Sequence, residues 1–167
     1  MWKMDHLSCY APAMIALGLQ ELPHKDLRSK GRNATWWSLA EGVTEACVEM
    51  WTFTKTGLAP EQAMVRSAVP FDYKEIPRTA RHSFLRPETA ESLFYLYRAT
   101  GDERYRRHGE RLFRAILEHS KVEHGFCSVQ DVNVVPTVKV DELQSFVLAE
   151  TFKYLFLLFS PAEALDL

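Results

Sequence analysis

Residues 85–120, LRPETAESLFYLYRATGDERYRRHGERLFRAILEHS, constrain the fold more than any other part of this 167-residue chain. Apolar residues recur at helical spacing on both sides of the dipeptide Gly101-Asp102. Gly101 can adopt the left-handed conformation that ends a helix, and Asp102 can cap the N-terminus of the next helix. The segment therefore predicts two helices joined by a very short turn, an αα-hairpin.

The first helix of this hairpin has a well-defined predicted start. Pro87 suits the first helical position, where a backbone N–H is not needed, and Glu88 follows in the first turn, where the helix dipole favours a carboxylate. Three further helices and two extended segments are predicted, so the fold class is all-α. The helices cover residues 5–19, 37–54 and 142–159, and Pro12 makes the start of the first one irregular. Residues 69–85 are irregular or extended, and residues 125–140 form either a short hairpin or an extended loop.

Composition restricts the classes of function. With 47% hydrophobic and 25% charged residues the chain is globular, and a net charge of −2 without a strong basic patch gives no reason to expect a nucleic-acid partner. The apolar run 146–159 is too short, and too interrupted by Glu150 and Lys153, to span a bilayer. Three cysteines are too few for a disulfide scaffold, although a single bridge between Cys9 and Cys47 is possible.

Glu150 lies inside the most apolar predicted helix of the chain. Burying an isolated carboxylate costs several kcal/mol or forces it to take up a proton. Two explanations remain open from the residues alone. Glu150 either pairs with Lys153, three residues further along the helix, or it faces a cation, a metal ion or a chemical task.

Glu88 and Glu91 are three residues apart and therefore share one face of the first helical turn. They either complement the helix dipole on a solvated face or meet a sugar, a water or a hard cation. Arg86 could pair with them or hold a ligand. His6 has the titration range for proton transfer, but a lone histidine is more often structural.

Four segments carry a resemblance to a known family. They are KMDHLSCYAPAMIALGL, EACVEMWTFTKTGLAPE, LRPETAESLFYLYRATGDERY and DELQSFVLAETFKYLFLLFS, in this order along the chain. In these segments the sequence resembles the class I α-1,2-mannosidases of glycoside hydrolase family 47. The resemblance covers nearly the whole chain, apart from the basic stretch around residues 24–36.

This resemblance implies a partial (αα)7 barrel, a ring of helical hairpins, with a short β-hairpin. It implies an inverting, calcium-dependent hydrolase that trims α-1,2-linked mannose from high-mannose N-glycans in the endoplasmic reticulum or Golgi. Residues 1–167 correspond to a C-terminal portion of the catalytic domain, incomplete at both ends, so we expect no activity from the chain alone and a membrane anchor only in a preceding region. The alternative is a non-catalytic glycan-recognition protein of quality control.

The resemblance also implies roles for particular residues in the substrate site. Glu88 corresponds to the carboxylate proposed as the general base that activates water. Arg86 corresponds to a sugar-contacting arginine, and His6 to a residue that lines the same pocket. Phe146 corresponds to the aromatic residue beneath the terminal mannose, and Glu150 to an acid at the floor of the pocket.

A calcium ion and a disulfide follow from the same resemblance. Glu88, Glu91 and Glu150 are expected to hold Ca²⁺ through its water shell. Cys9 and Cys47 fall at the paired cysteines of the family, which implies a disulfide and an oxidising, secretory compartment.

Overall fold

The computed structural model describes residues 1–22, 32–68 and 71–161, with side chains described at 1–22, 34–66 and 75–161. Within these ranges the structure is mostly helical, as predicted, and carries three small antiparallel sheets. Most of the predicted loop between the first two helices, residues 23–31, lies outside the described residues. The helices are α1 (Ala11–Glu21), α2 (Arg32–Thr52), α3 (Glu88–Thr100), α4 (Glu103–His119) and α5 (Lys153–Phe159).

The predicted αα-hairpin is confirmed as α3 and α4. Gly101 takes φ of 69°, and its N–H donates to the Tyr97 carbonyl at 2.7 Å, which closes α3 with a left-handed cap. The Asp102 side chain accepts a hydrogen bond from the backbone N–H of Arg104 at 2.8 Å and caps α4. Local capping chemistry therefore sets the turn.

Three predicted helix starts were wrong. Helix α2 begins at residue 32 and not at 37. Residue 5 belongs to a strand, residues His6–Tyr10 form a 3₁₀ turn, and α1 begins only at Ala11, because Pro12 fits the first helical turn and not a helix interior. The last helix starts at residue 145 rather than 142, and its Val147–Phe152 portion is a π-helix that leads into α5.

A three-stranded antiparallel sheet was not predicted. It consists of β1 (Trp2–Asp5), β2 (Gln62–Ala68) and β3 (Phe71–Glu75), with β2 in the centre. Asp5 pairs with Gln62, so the sheet places the start of the chain beside the segment that precedes β2. Within the 125–140 region, β6 (Ser128–Val129) pairs with β7 (Lys139–Val140) and forms the predicted hairpin. A second small pair precedes this hairpin and consists of β4 (Lys121–Val122) and β5 (Gly125–Phe126).

Helix α3 is the centre of the packing, since it contacts each of the other four helices. The core around it is apolar, and its largest fully buried members include Trp51, Tyr105, Met50, Leu93 and Ile116. Helix α4 approaches α5 closely at Gly109, where an added Cβ would overlap the Leu158 side chain. Burial of the apolar face of α3 therefore fixes the N-terminal end of that helix, where its acidic residues lie.

A disulfide joins Cys9 to Cys47, as the resemblance implied, and ties the 3₁₀ turn before α1 to α2. Both cysteines are fully buried, and Cys127 is a buried free thiol. Among the described residues, no helix is both long and apolar enough to cross a membrane.

Candidate active site

Glu88 is the most buried carboxylate that the structure describes at the start of α3. Only 6% of the residue is exposed, and its Oε2 atom is buried without a hydrogen-bond partner. Burial raises the pKa of the Glu88 carboxyl, and the negative charges of Glu61 and Glu150 raise it further, against the lowering effect of its own backbone N–H and of Arg86. A buried carboxylate with a free oxygen and a raised pKa has the properties of a general base.

His6 lies against this carboxylate in a fully buried network. Its Nδ1 is 3.6 Å from Glu88 Oε2, and its Nε2 is 2.9 Å from the hydroxyl of Thr89. The Trp51 indole N–H lies 3.2 Å from both His6 Nε2 and Thr89 Oγ1. The main-chain N–H of His6 donates to the Glu61 carbonyl at 3.0 Å, which anchors the turn to the segment before β2.

This network sets the protonation of His6. Burial, and then the charge of Arg86, lower the pKa of His6 to about 3, so the ring is neutral at physiological pH. The Trp51 N–H, which can only donate, is shared between His6 Nε2 and Thr89 Oγ1. His6 Nδ1 faces Glu88 Oε2. His6 therefore carries no charge that would neutralise the carboxylate.

Arg86 is held on the other side of Glu88. Its Nε donates to Glu61 Oε2 at 2.5 Å, its Nη1 lies 3.8 Å from Glu88 Oε1, and its guanidinium is 5.6 Å from the centre of the Phe146 ring. Glu61 Oε1 also accepts the backbone N–H of Phe84 at 3.2 Å. Glu61 therefore fixes both the arginine and the backbone that leads to it.

Glu91 and Glu150 complete an acidic surface next to Glu88. Burial and the charge of Glu150 raise the pKa of Glu91, although its Oε1 accepts a hydrogen bond from the Tyr154 hydroxyl at 3.1 Å. Glu150 lies in the π-helix. It is half-buried, whereas its apolar neighbours in the sequence predicted a dry environment. Lys153, the alternative partner for Glu150, lies with its Nζ 4.2 Å from the centre of the Tyr154 ring.

The charge of Glu150 raises the pKa of both Glu88 and Glu91, so the three predicted acids interact electrostatically. Over the part of the chain that the structure describes, no three histidine, cysteine, aspartate or glutamate side chains are close enough to bind a metal ion directly. An unpartnered buried oxygen beside two further carboxylates fits a hard cation that keeps its water shell.

Comparison with known proteins decides the family. The sequence profile of glycosyl hydrolase family 47 matches residues 1–167. The chain belongs to glycosyl hydrolase family 47.

The relatives of this family 47 chain are longer than it is. Mannosyl-oligosaccharide 1,2-alpha-mannosidase MNS3 of Arabidopsis thaliana is 38% identical over 188 residues, which cover 99% of the chain and 30% of that protein. The endoplasmic reticulum mannosyl-oligosaccharide 1,2-alpha-mannosidase of Rattus norvegicus is 38% identical over 162 residues, covering 95% of the chain and 23% of that protein. Among solved structures, an alpha-1,2-mannosidase from Trichoderma reesei has a similar fold, with a TM-score of 0.80 and 22% sequence identity. The match covers 99% of this chain and 35% of the Trichoderma chain.

The structure places His6 Nδ1 and Arg86 Nη1 within 4 Å of the Glu88 carboxylate, and it places Phe146 beside Arg86. Sequence reasoning did not single out Glu61, Thr89 or Trp51. Glu61 follows Pro60 just before a strand and has no charged partner nearby in the sequence. Its pairing with Arg86, 25 residues away, exists only in the folded chain.

Proposed function

We propose that this chain supplies one wall of the active site of an α-1,2-mannosidase that trims high-mannose N-glycans. The buried Glu88 carboxylate, with an unpartnered Oε2, carries the proposal. Membership of glycosyl hydrolase family 47 and relatives named as mannosyl-oligosaccharide 1,2-alpha-mannosidases support it.

In this function Glu88 is the general base that takes a proton from the attacking water. A raised pKa brings its basicity closer to the pH at which the enzyme works, which favours proton transfer. His6 Nδ1, 3.6 Å from Oε2, and Arg86 Nη1, 3.8 Å from Oε1, flank the carboxylate on two sides. Inversion requires the base and the acid to stand roughly 6.5–9.5 Å apart, with the water between base and sugar. We assign the acid to no residue of this chain.

Arg86 and Phe146 are proposed to bind the sugar at this site. The Phe146 ring offers an apolar face against which the C–H face of a pyranose can pack, and Arg86 offers N–H donors to sugar hydroxyls. The ion pair with Glu61 holds the arginine in place before the sugar arrives. His6 is fully buried behind Glu88 and is proposed to support this carboxylate from the core side, and Glu150 is proposed to lie at the floor of the site.

We propose that Ca²⁺ is the cation of the site, held through water by Glu88, Glu91 and Glu150. Calcium accepts many oxygen ligands with loose geometry, which suits carboxylates that do not converge closely enough to bind the metal directly. When bound, the ion would supply positive charge to the sugar hydroxyls and offset the repulsion among the three acids.

The chain is proposed to form part of an (αα)7 barrel in a protein of the secretory pathway. The αα-hairpin, the fold similarity and the disulfide support this, because structural disulfides form in oxidising compartments. The chain spans about a third or less of the relatives named above. We therefore expect the 167-residue protein alone to release no mannose from a high-mannose glycan.

A chimera tests the function directly. Residues 1–167 replace the matching segment of the Arabidopsis relative, and mannose release from an α-1,2-mannobiose is measured with and without Glu88→Gln. We expect the parent chimera to hydrolyse the disaccharide and E88Q to lose at least about 10²-fold in rate, as for removal of a general base. Glu123→Gln, at a carboxylate with 87% of its side chain exposed, is the matched control and should leave the rate unchanged.

Full activity of the folded E88Q chimera would contradict the assignment of the base. A folded parent chimera that binds the disaccharide without cleaving it would instead favour a glycan-recognition protein. Calcium is tested separately by the melting temperature of the chimera, which should rise with calcium concentration and rise less in Glu150→Gln.

A further inference from the structure

Leu85, directly before Arg86, has an unusual backbone conformation. Its φ is 58°, in the left-handed region that residues with a side chain rarely adopt, because Cβ then crowds the carbonyl oxygen. Leu85 is also fully buried in the core. Such outliers persist where the surrounding structure holds them, and they concentrate at functional sites.

The conformation of Leu85 determines where Arg86 points. Pro87 restricts the backbone of Arg86 to extended conformations, and α3 then begins at Glu88. The left-handed turn at Leu85 therefore lies directly before the restricted segment Arg86-Pro87, which leads into α3. A right-handed conformation at Leu85 would redirect the chain and separate Arg86 from Glu61.

Thr151 holds this turn from a different part of the chain. Its hydroxyl donates to the Leu85 carbonyl at 2.7 Å, and only 1% of Thr151 is exposed. Upstream, the Leu85 N–H contacts the Ser83 hydroxyl at 3.4 Å, and Ser83 exchanges backbone hydrogen bonds with Val129. The left-handed residue is therefore restrained through both its N–H and its carbonyl.

Thr151 also belongs to the segment that carries the opposite side of the site. It follows Glu150 in the π-helix, and Phe146 is the residue before that helix. A π-helix is a rare widening of the helical turn that is frequent at functional sites. The Thr151–Leu85 hydrogen bond thus joins the segment that bears Arg86 and Glu88 to the segment that bears Phe146 and Glu150.

We propose that Thr151 is a positioning residue of this site: its hydroxyl holds Leu85 in the left-handed conformation and thereby fixes Arg86 against Glu61 and Phe146. The proposal builds on the function proposed above. Its test measures the geometry of Arg86 without any ligand or turnover, so failure of the mannosidase assignment and failure of the positioning role give different results.

The test uses ¹⁵N-labelled 167-residue protein and three variants. Thr151→Val removes the hydroxyl at nearly constant volume, and Thr151→Ser restores it. Thr44→Val is the matched control, since Thr44 is fully buried and donates to the Ala40 carbonyl at 2.8 Å within α2. The readout is the exchange rate of the Arg86 Nε–H, which is paired with Glu61 in the wild type.

We expect T151V to raise this exchange rate by about an order of magnitude or more, through local opening of the turn, while T151S and T44V keep the wild-type rate. A wild-type rate in T151V would overturn the proposal. An equal increase in T44V would also overturn it, because the effect would then follow from lost stability in general.

The wild-type protein supplies a second measurement if T151V does not fold. A buried Thr151 hydroxyl proton bonded to Leu85 should exchange slowly enough to give its own proton resonance, with a nuclear Overhauser effect to the Leu85 Hα. The Leu85 residue should also show a strong intraresidue nuclear Overhauser effect between its amide proton and Hα, because these two protons are closest near a φ of +60°. A Leu85 residue with a negative φ in solution, or a Thr151 hydroxyl without this contact, would overturn the proposal.

Discussion

The Cys9–Cys47 disulfide offers the prediction with the best-defined magnitude. The cysteines are 38 residues apart, and in the chain-entropy description a loop of this length stabilises the folded state by about 4 kcal/mol at 25 °C. Both cysteines are fully buried, so Cys9→Ala with Cys47→Ala also deletes two buried sulfur atoms, at about 1 kcal/mol each. A domain of this size is stabilised by only about 5–15 kcal/mol in total.

Chemical denaturation measures this difference against a matched control. Cys127→Ala deletes one buried sulfur that takes part in no disulfide, and so reports the loss of a buried sulfur together with its 3.4 Å contact to the Ser120 carbonyl. We expect the double variant to lose about 4 kcal/mol more than twice the loss of C127A. The experiment is run near 15 °C, close to the usual maximum of protein stability, so that the double variant retains a measurable folded baseline. A double variant within about 1 kcal/mol of twice the C127A loss would refute the reasoning, because the cross-link would then contribute almost nothing.

Three further predictions follow from burial and packing. Glu88→Gln should raise the free energy of unfolding at pH 7, because the folded state holds Glu88 with a raised pKa. This gain should vanish below pH 4, where the wild-type carboxyl is protonated in both the folded and the unfolded state. No gain at pH 7 would contradict the burial of that charge. The pKa of His6, lowered to about 3, lies below its value in the unfolded chain, so the contribution of His6 to stability is complete above pH 6.5 and is lost as the pH falls toward 3. The ¹⁵N signals of the His6 ring should therefore not change between pH 8 and 5, with the exposed His124 as the reference. A His6 midpoint near 6.5 would be inconsistent with its burial. Gly109→Ala should destabilise the folded chain by about 1–3 kcal/mol, because the new methyl group meets Leu158. Gly42→Ala, at a helical position where an added Cβ meets no atom within 4 Å, should stabilise the folded chain by about 0.5–1 kcal/mol. Equal effects of the two substitutions in thermal unfolding would disprove the close approach of α4 to α5.

The parts of the fold that depend on local chemistry could be predicted from the sequence. The hairpin of α3 and α4 follows from Gly101 and Asp102, because a left-handed cap and an N-cap act on residues within a few positions. The sheet could not be predicted in this way. Strand β2 pairs with β1 across about 60 residues, and its sequence, QAMVRSA, lacks the β-branched alternation that would have indicated a strand.

The same distinction applies to the site. The family resemblance pointed to Glu88, Glu91 and Glu150, and in the structure the charge of Glu150 acts on the other two carboxyls. The partners that position them depend on tertiary contacts. Trp51 reaches His6 across 45 residues, and Thr151 reaches Leu85 across 66. No spacing rule relates residues so far apart, and the π-helix that turns Thr151 toward Leu85 has no recognised sequence signature.

The central claim is that three carboxylates share one site, and carboxyl ¹³C titration of the 167-residue protein tests it most directly. The measurement compares the wild type with Glu150→Gln, and with Glu123→Gln as the exposed control. Removing the charge at position 150 should lower the pKa of both Glu88 and Glu91, while E123Q leaves both unchanged. Unchanged pKa values of Glu88 and Glu91 in folded E150Q would mean that the three groups do not face one another, and the proposed sugar and calcium site would have no basis.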